Sequence, residues 1–532
     1  MIARWLVDRG IGRGTPVAIL SETRPEWTAA DLAITALGAI TVGIYPSLTA
    51  EEVRYQLRHS GARVVFVENA TQESKVAGLR SDCHDLRIVA RMDRPLDAVP
   101  DVALLRARGA EVRDDDLATI IYTSGTTGDP KGALLTHANF WEVAHRTRHL
   151  AKVLPGDRGV IFLPLAHSLQ RFVQYRALLE DVVGVYAPSI EKLPEALAFG
   201  RPTVLASVPR MLEKIKERAE AAASQRGVRA RRIFDAAIKL GRRRAIALER
   251  GERLGLADRL LVRIADRLVY KKIRDRLGGE LRVVVCGGAR LDPEVARFFV
   301  GAGITVLEGW GLTETCAPAT ANGEGAWRLG TVGRPLPGVD VRVADDGELL
   351  VRGPGNFRGY LNDEAATRAC FDGDWFRTGD VGTIDADGYV TITDRKKEIL
   401  ITAGGKNIPP VNLEKRLERA SIVSQAVVIG DGRPYLVALL VPEIQAIEAI
   451  ARRSGWPDEP LTERLSRPEL RAAFNRAVDD ANQELAKFEQ IKCYEVLANP
   501  FTVEGGEITP TLKLKRRVIN DRYAEVIARL YR

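Results

Sequence analysis

Residues 122–132 read Y-T-S-G-T-T-G-D-P-K-G, and after Tyr122 the stretch holds only glycines, small hydroxyl residues, one acid, one proline and one lysine. A loop of that composition is suited to wrapping an anion. The run before it, L-A-T-I-I-Y at 117–122, reads as a short buried strand, so the backbone N–H groups and hydroxyls of Thr123, Ser124, Gly125, Thr126, Thr127 and Gly128 emerge at a strand end as a concave nest for phosphate. Lys131 supplies the cation. A Walker A loop ends in Gly-Lys followed by Ser or Thr, whereas here Pro130 precedes Lys131 and Gly132 follows it. A P-loop NTPase is therefore disfavoured.

Outward from this loop, apolar runs at 17–20, 64–67, 120–122, 160–163, 183–186, 204–206 and 281–286 alternate with helix-like segments. The alternation predicts an α/β architecture with mainly parallel sheets. Around Asp340 the pattern changes to V-D-V-R-V, then E-L-L-V-R-G, then Gly- and Asp-rich turns near Asp372 and Asp385, which predicts a small antiparallel or barrel-like subdomain. After Thr393, D-R-K-K-E-I-L-I-T-A-G-G-K-N-I-P-P opens a different unit, with two strands at 426–429 and 435–441 and amphipathic helices. The expected division is a large N-terminal domain over 1–394 and a smaller, mobile α+β C-terminal domain over 395–532.

Length agrees with that division, since 532 residues exceed what one core serves. No run of about 18 apolar residues occurs, and M-I-A-R-W-L-V-D-R-G at the start lacks the apolar core of a signal peptide, so neither spanning nor secretion is indicated. The five cysteines are widely spaced without C-x-x-C and fit reduced thiols in a cytosol. The net charge of +8 is uneven: residues 226–276 carry 17 Lys or Arg against 6 Asp or Glu, leaving the rest of the chain slightly acidic. A long helical pattern there sets Ile233, Ala237, Leu240 and Ile246 as an apolar stripe opposite an Arg face. The plain reading is a solvated helix face; attraction to an anionic membrane is the alternative. Nucleic acid is disfavoured, because no aromatic residues interleave the basic groups.

Further segments carry chemistry-bearing residues. L-R-V-V-V-C-G-G-A-R-L-D-P at 281–293 puts Gly287, Gly288 and Ala289 at a strand's C-terminal end, where backbone can approach a flat base. E-G-W-G-L-T-E-T at 308–315 holds Trp310, Gly311, Thr313 and Glu314; T-G-D at 378–380 ends on Asp380, about fifteen residues before D-R-K-K at 394–397. L-P-L-A-H-S-L-Q-R at 163–171 contains His167, and G-G-E-I-T-P-T-L-K-L-K-R-R at 505–517 contains Lys513 and Lys515. Alone, each has an ordinary structural reading: a turn, a packing tryptophan, a core histidine, a solvated basic tail.

In this order and over almost the whole chain, the segments resemble the adenylate-forming (AMP-binding) superfamily. Residues 45–53 (Y-P-S-L-T-A-E-E-V), 208–214 (V-P-R-M-L-E-K) and the helical insertion up to Arg276 resemble its long-chain fatty-acyl-CoA synthetase branch. The resemblance implies an ATP-dependent ligase that joins a fatty acid to coenzyme A through an acyl-adenylate, releasing AMP and pyrophosphate. It gives residues 123–128 and Lys131 to the phosphates, Gly287, Gly288, Ala289, Trp310 and Gly311 to adenine, Asp380 and Arg395 to the ribose, and Lys397 to a hinge. Glu314 and Thr123 become ligands of Mg²⁺; Thr313, Glu314, His167 and Lys513 become catalytic. Trp310 stands where the family usually has Tyr, and Leu512 stands where a Gly usually precedes the lysine, so Lys515 competes with Lys513. A carrier-protein ligase and a non-catalytic nucleotide-binding relative are the alternatives. A cytoplasmic location is expected, peripheral at the inner face of the membrane in the lipid-binding alternative. The family normally has further strands before 17–20, so the expectation is that its first segment is missing ahead of Met1.

Overall fold

The computed structural model describes every residue except 80, 124–128, 397, 404, 405, 484 and 510–512, and the side chain of Asn407. Two compact units divide the chain: one takes most of residues 1–392, the other residues 393–532 with residues 379–381.

In the first unit, one sheet runs in the order Gly359–Tyr360, Lys131–Thr136, Leu117–Thr123, Ile40–Ile44, Pro16–Leu20, Val64–Val67, Ile88–Arg91. From Leu117–Thr123 outward to Ile88–Arg91 the neighbours are parallel. Such strands are covered on both faces, and the alternation along Pro16–Leu20 shows how. Val17 and Ile19 enter a core with Trp27 and Phe66, while Ala18 and Leu20 enter another with Val42 and Ile120. The sheet's strands Ile40–Ile44, Ile88–Arg91, Lys131–Thr136 and Gly359–Tyr360 are absent from the sequence expectation. The first holds Gly43, where an added Cβ would come 2.9 Å from the Ala166 Cα. Only a residue without a side chain lets the segment 163–167 cross that strand so closely.

A second sheet runs Arg334–Pro335, Ala317–Ala321, Thr305–Leu312, Val283–Cys286, Val204–Ser207, its last three members parallel. A third, in the expected antiparallel region, orders Asp340–Val343, Glu348–Arg352, Trp375–Ile384 and Phe371–Asp372, with Val390–Arg395 also on Trp375–Ile384. The mixed α/β class with a barrel-like sheet is thus as expected.

The basic insertion differs in detail. It forms the helices Val228–Glu249 and Leu256–Ala265, a π-helical stretch Asp266–Tyr270 and the helix Lys271–Asp275. The buried face of Val228–Glu249 is led by Phe234, Ala237, Leu240, Gly241 and Ala245, and Ile233 is exposed. Ala237 and Leu240 are buried as expected and Ile246 is half-buried, whereas Phe234, the larger apolar group, takes the core in place of Ile233.

The second unit holds a sheet of Val423–Ile429, Leu436–Pro442 and Ile491–Val496, antiparallel then parallel. The helices Pro410–Glu418 and Pro468–Asn482 pack on one face through Leu413, Leu417, Phe474 and Val478.

Candidate active site

Strands Leu117–Thr123 and Lys131–Thr136 pair antiparallel with Thr123 opposite Lys131, and the Thr123 hydroxyl donates to the Lys131 carbonyl at 3.4 Å. The two ends of the anion loop are therefore held side by side. Ser124, Gly125, Thr126, Thr127 and Gly128 lie outside the described residues. The loop's far shoulder is strapped from the helix Ala50–Ser60, whose Tyr55 hydroxyl donates to the Pro130 carbonyl at 3.0 Å. Lys131 Nζ lies 3.5 Å from Asp363 Oδ2 and 5.1 Å from the centre of the Tyr360 ring. That pair is partly exposed, so its Coulomb attraction is screened and easily exchanged.

Glu314 sits in a single 3₁₀ turn, Thr313–Thr315, followed by Cys316 at φ 54° and Ala317 at φ 77°. Left-handed backbone at two non-glycine residues is costly and persists only where the surroundings fix it. Here the fixing is explicit. Leu312 N donates to Thr315 Oγ1 at 2.9 Å, Phe357 N donates to the Glu314 carbonyl at 2.8 Å, and the strand bulges between Trp310 and Gly311. A Cβ on Gly311 would fall 1.7 Å from the Ala317 carbonyl oxygen, so glycine is required for that crossing. The Glu314 side chain is buried, and its Oε1 accepts a hydrogen bond from the Tyr360 hydroxyl at 2.8 Å. Burial, and secondarily the Glu314 charge, raises the Tyr360 phenol well above its ordinary range, so it stays a donor.

Among the described residues no cluster of three or more His, Cys, Asp or Glu could hold a metal by itself. A single buried carboxylate beside a phosphate loop suits a cation that brings phosphate oxygens and water as its other ligands, which is the habit of Mg²⁺.

Nearby, the Thr313 and Ser168 hydroxyls are 3.4 Å apart. Ser168 begins the helix Ser168–Leu179, and His167 caps it, with Nδ1 accepting from Leu169 N at 3.2 Å. Leu169 in turn approaches Gly287: a Cβ there would lie 3.7 Å from Leu169 Cδ2 and 3.4 Å from the Gly309 carbonyl. Gly288 takes φ +85° and, with Ala289, is exposed just past the strand Val283–Cys286. The glycine turn, the 3₁₀ turn carrying Glu314 and the His167 segment therefore lie in one unit. Trp310 is buried in a core with Phe140, Phe172 and Val332, a packing role. Glu308, also buried on this strand, accepts from Leu291 N at 3.0 Å, and burial pushes its carboxyl up to about 7. Arg171, at the end of the His167 segment, is fully buried in an ion pair with Asp31, which also accepts from Thr41 and Tyr175. It holds the fold together.

In the second unit, Arg395 Nε donates to Asp380 Oδ1 at 2.8 Å, and Lys396 N donates to the Gly379 carbonyl at 2.8 Å. The segments 379–380 and 395–396, separated in sequence, are adjacent in space. Lys397 lies outside the described residues. Lys513 is exposed; Thr509 N donates to the Lys513 carbonyl and Lys513 N to the Thr509 hydroxyl, at 2.8 and 3.0 Å. Lys515 is more enclosed, and Arg516 after it forms a two-pronged pair with Glu414 at 2.7 Å. Arg516 thus anchors the chain directly after Lys515.

Tyr360 and Asp363 escaped the sequence reading. Both sit in F-R-G-Y-L-N-D, and only the pairing of Gly359–Tyr360 with Leu134 and Ala133 brings them to Lys131.

A family model described as AMP-binding enzyme matches residues 1–361, and one described as AMP-binding enzyme C-terminal domain matches residues 397–532. The chain belongs to the adenylate-forming family of AMP-binding enzymes. Within that family its likeness is to the long-chain acyl-CoA synthetase type. A Mycobacterium tuberculosis relative named long-chain-fatty-acid–CoA ligase FadD15 is 41% identical over 99% of this chain and 90% of its own length. An Arabidopsis thaliana relative, long chain acyl-CoA synthetase 6, peroxisomal, is 33% identical over 99% of this chain and 79% of its own. Among solved structures, the o-succinylbenzoate CoA synthetase of Bacillus subtilis with its acyl-adenylate superimposes with a TM-score of 0.71 at 21% identity, covering 98% of this chain and 91% of that one. That likeness bears on the fold of this AMP-binding enzyme.

Proposed function

We propose that this protein is an ATP-dependent long-chain fatty-acid:CoA ligase that forms acyl-CoA through an acyl-adenylate. The observation that carries the reading is the 41% identity, over 99% of the chain, to a relative of that name. The geometry agrees with it: Tyr360 joins the buried Glu314 carboxylate to Lys131, beside the paired strand ends at Thr123 and Lys131.

Thr123, the loop residues 124–128 and Lys131 bind the triphosphate, with Lys131 leaving Asp363 for phosphate. At about 4 Å such a contact is worth roughly 4 kcal/mol at an effective dielectric near 20, enough to matter for rate. Gly287, Gly288 and Ala289 line adenine, and Asp380 with Arg395 holds the ribose. Glu314 and Thr123 would hold Mg²⁺, which when bound would offset charge on the triphosphate. His167, at the N-terminus of its helix, orients the fatty carboxylate toward the α-phosphate. The carboxylate oxygen attacks that phosphorus and pyrophosphate leaves. The CoA thiol then attacks the acyl carbon and AMP leaves, so no covalent enzyme intermediate is needed. The work is placement and charge stabilisation. Lys513 serves the first step, and residues 395–532 act as the mobile domain with Lys397 at its hinge. A cytoplasmic location, with fatty acid delivered at a membrane face, belongs to the same proposal.

Mass spectrometry of reactions with palmitate, ATP, Mg²⁺ and CoA tests it: palmitoyl-CoA and AMP in equal amounts are expected. Palmitoyl-AMP that never passes to CoA would move the acceptor to a carrier protein, and no product at all would leave a nucleotide-binding relative.

A further inference from the structure

The helix Leu256–Ala265 and its continuation through Asp266–Tyr270 turn one face inward, where Ala265, Val269, Tyr270 and Ile273 join the core of Phe234 and Leu240. The other face is apolar as well. Leu256, Leu260, Ile264 and Leu268 follow at four-residue spacing, Leu261 lies beside them, and all are exposed, Leu256 to 82% and Leu260 to 60%. Residues four apart on a helix line one stripe. A solvated helix face does not repeat leucine this way, and an exposed stripe of this kind marks an interaction site.

Charge identifies the partner. The acidic residues of these helices are occupied: Asp258 faces Arg243 at 3.5 Å, Asp266 faces Arg274 at 2.7 Å, and Asp275 faces Lys271 at 2.9 Å. Arg259, Arg263, Arg267 and Lys272 flank the stripe, are exposed, and make no ion pair among the described residues. The preceding helix Val228–Glu249 commits Arg231, Arg242 and Arg243 to Asp235, Glu294 and Asp258, while its Arg229, Arg232 and Lys239 are exposed. An apolar stripe with an unneutralised basic margin matches a helix lying in the interface of an anionic bilayer. A second copy of the same face would set basic margin against basic margin, which like-charge repulsion opposes.

We propose that this face docks the protein on an anionic lipid bilayer, with Leu256, Leu260, Ile264 and Leu268 entering the headgroup boundary and Arg259, Arg263 and Arg267 meeting lipid phosphates. The proposal deepens the ligase reading, on which it rests, because a long-chain fatty acid resides in such a bilayer and is taken up at its surface.

The test is sedimentation of the full chain with vesicles of phosphatidylcholine alone and of phosphatidylcholine with phosphatidylglycerol. The expected result is binding to the anionic vesicles that weakens as salt screens the margin, and weakens about tenfold or more in either Leu260→Ser/Ile264→Ser or Arg259→Glu/Arg263→Glu. The first double variant retains acyl-CoA formation from detergent-dispersed palmitate, which shows that it folds. Equal binding of wild type and both variants to anionic vesicles, or no binding by the wild type, overturns the proposal. So does a concentration-dependent dimer abolished by Leu260→Ser/Ile264→Ser, which gives the face to a second copy. Vesicle binding without any ligase activity in the wild type would instead remove the ligase reading and leave the docking face standing.

Discussion

The Tyr360 hydroxyl lies 2.8 Å from Glu314 Oε1 while the Tyr360 ring lies 5.1 Å from Lys131 Nζ. One tyrosine thus touches both the carboxylate assigned to the metal and the cation assigned to the phosphates. A donor behind a ligating carboxylate fixes its orientation, and losing such a donor typically costs 10- to 100-fold in metal affinity. Tyr360→Phe is expected to weaken ATP binding about tenfold in the presence of Mg²⁺, measured by calorimetry, and to leave AMP binding without Mg²⁺ unchanged. Equal losses for both nucleotides would make Tyr360 a packing residue only.

Glu314→Gln keeps shape and removes charge. The expected outcome is a raised Mg²⁺ requirement for turnover with little change in melting temperature. Titrating Mg²⁺ against rate checks it, and an unchanged requirement would exclude Glu314 as the ligand.

The parallel sheet was legible because 17–20, 64–67 and 204–206 are unbroken apolar runs, the mark of strands covered on both faces. Ile40–Ile44 escaped because Thr41 and Gly43 interrupt its apolar pattern; Gly43 is there to admit Ala166, a tertiary demand. Within the candidate site, resemblance alone singles out motif residues such as Glu314 and Asp380. Their partners were less legible. Nothing local to Tyr360 announces a contact with a residue 46 positions away, and the exposed leucines at 256–268 look, as a pattern, like any helix facing a core. Which side of a helix meets the core is decided by what packs against it.

Lys513→Ala is expected to lower acyl-AMP formation about a hundredfold or more, by analogy with removing one transition-state donor. Thioester formation from supplied acyl-AMP should be largely spared, and stopped-flow assays of the two half-reactions separate the effects. Equal damage to both would refute a role confined to adenylation. A silent Lys513→Ala with an inactive Lys515→Ala would move the role two residues on.

Glu308 gives a pH signature. Its carboxyl holds a proton to about 7 when folded against about 4.5 as an ordinary glutamate, because burial penalises the charge. Between those values the folded state binds more protons than the unfolded one, so its contribution to stability is full below the lower value and is lost as pH rises through the upper. Glu308→Gln retains an acceptor for Leu291 N and removes the titration. Its melting temperature should be flatter over this range, and the variant should be more stable than wild type above neutral pH, by on the order of 2–3 kcal/mol. Parallel curves for the two proteins would contradict a titrating Glu308.

The most direct measurement of the central claim is exchange of labelled pyrophosphate into ATP, run with palmitate and Mg²⁺ but without CoA. Reversible acyl-adenylate formation predicts exchange that depends on palmitate and needs no CoA, with AMP accumulating only once CoA is added. Exchange that appears only with CoA present, or release of ADP and phosphate in place of AMP and pyrophosphate, would contradict it.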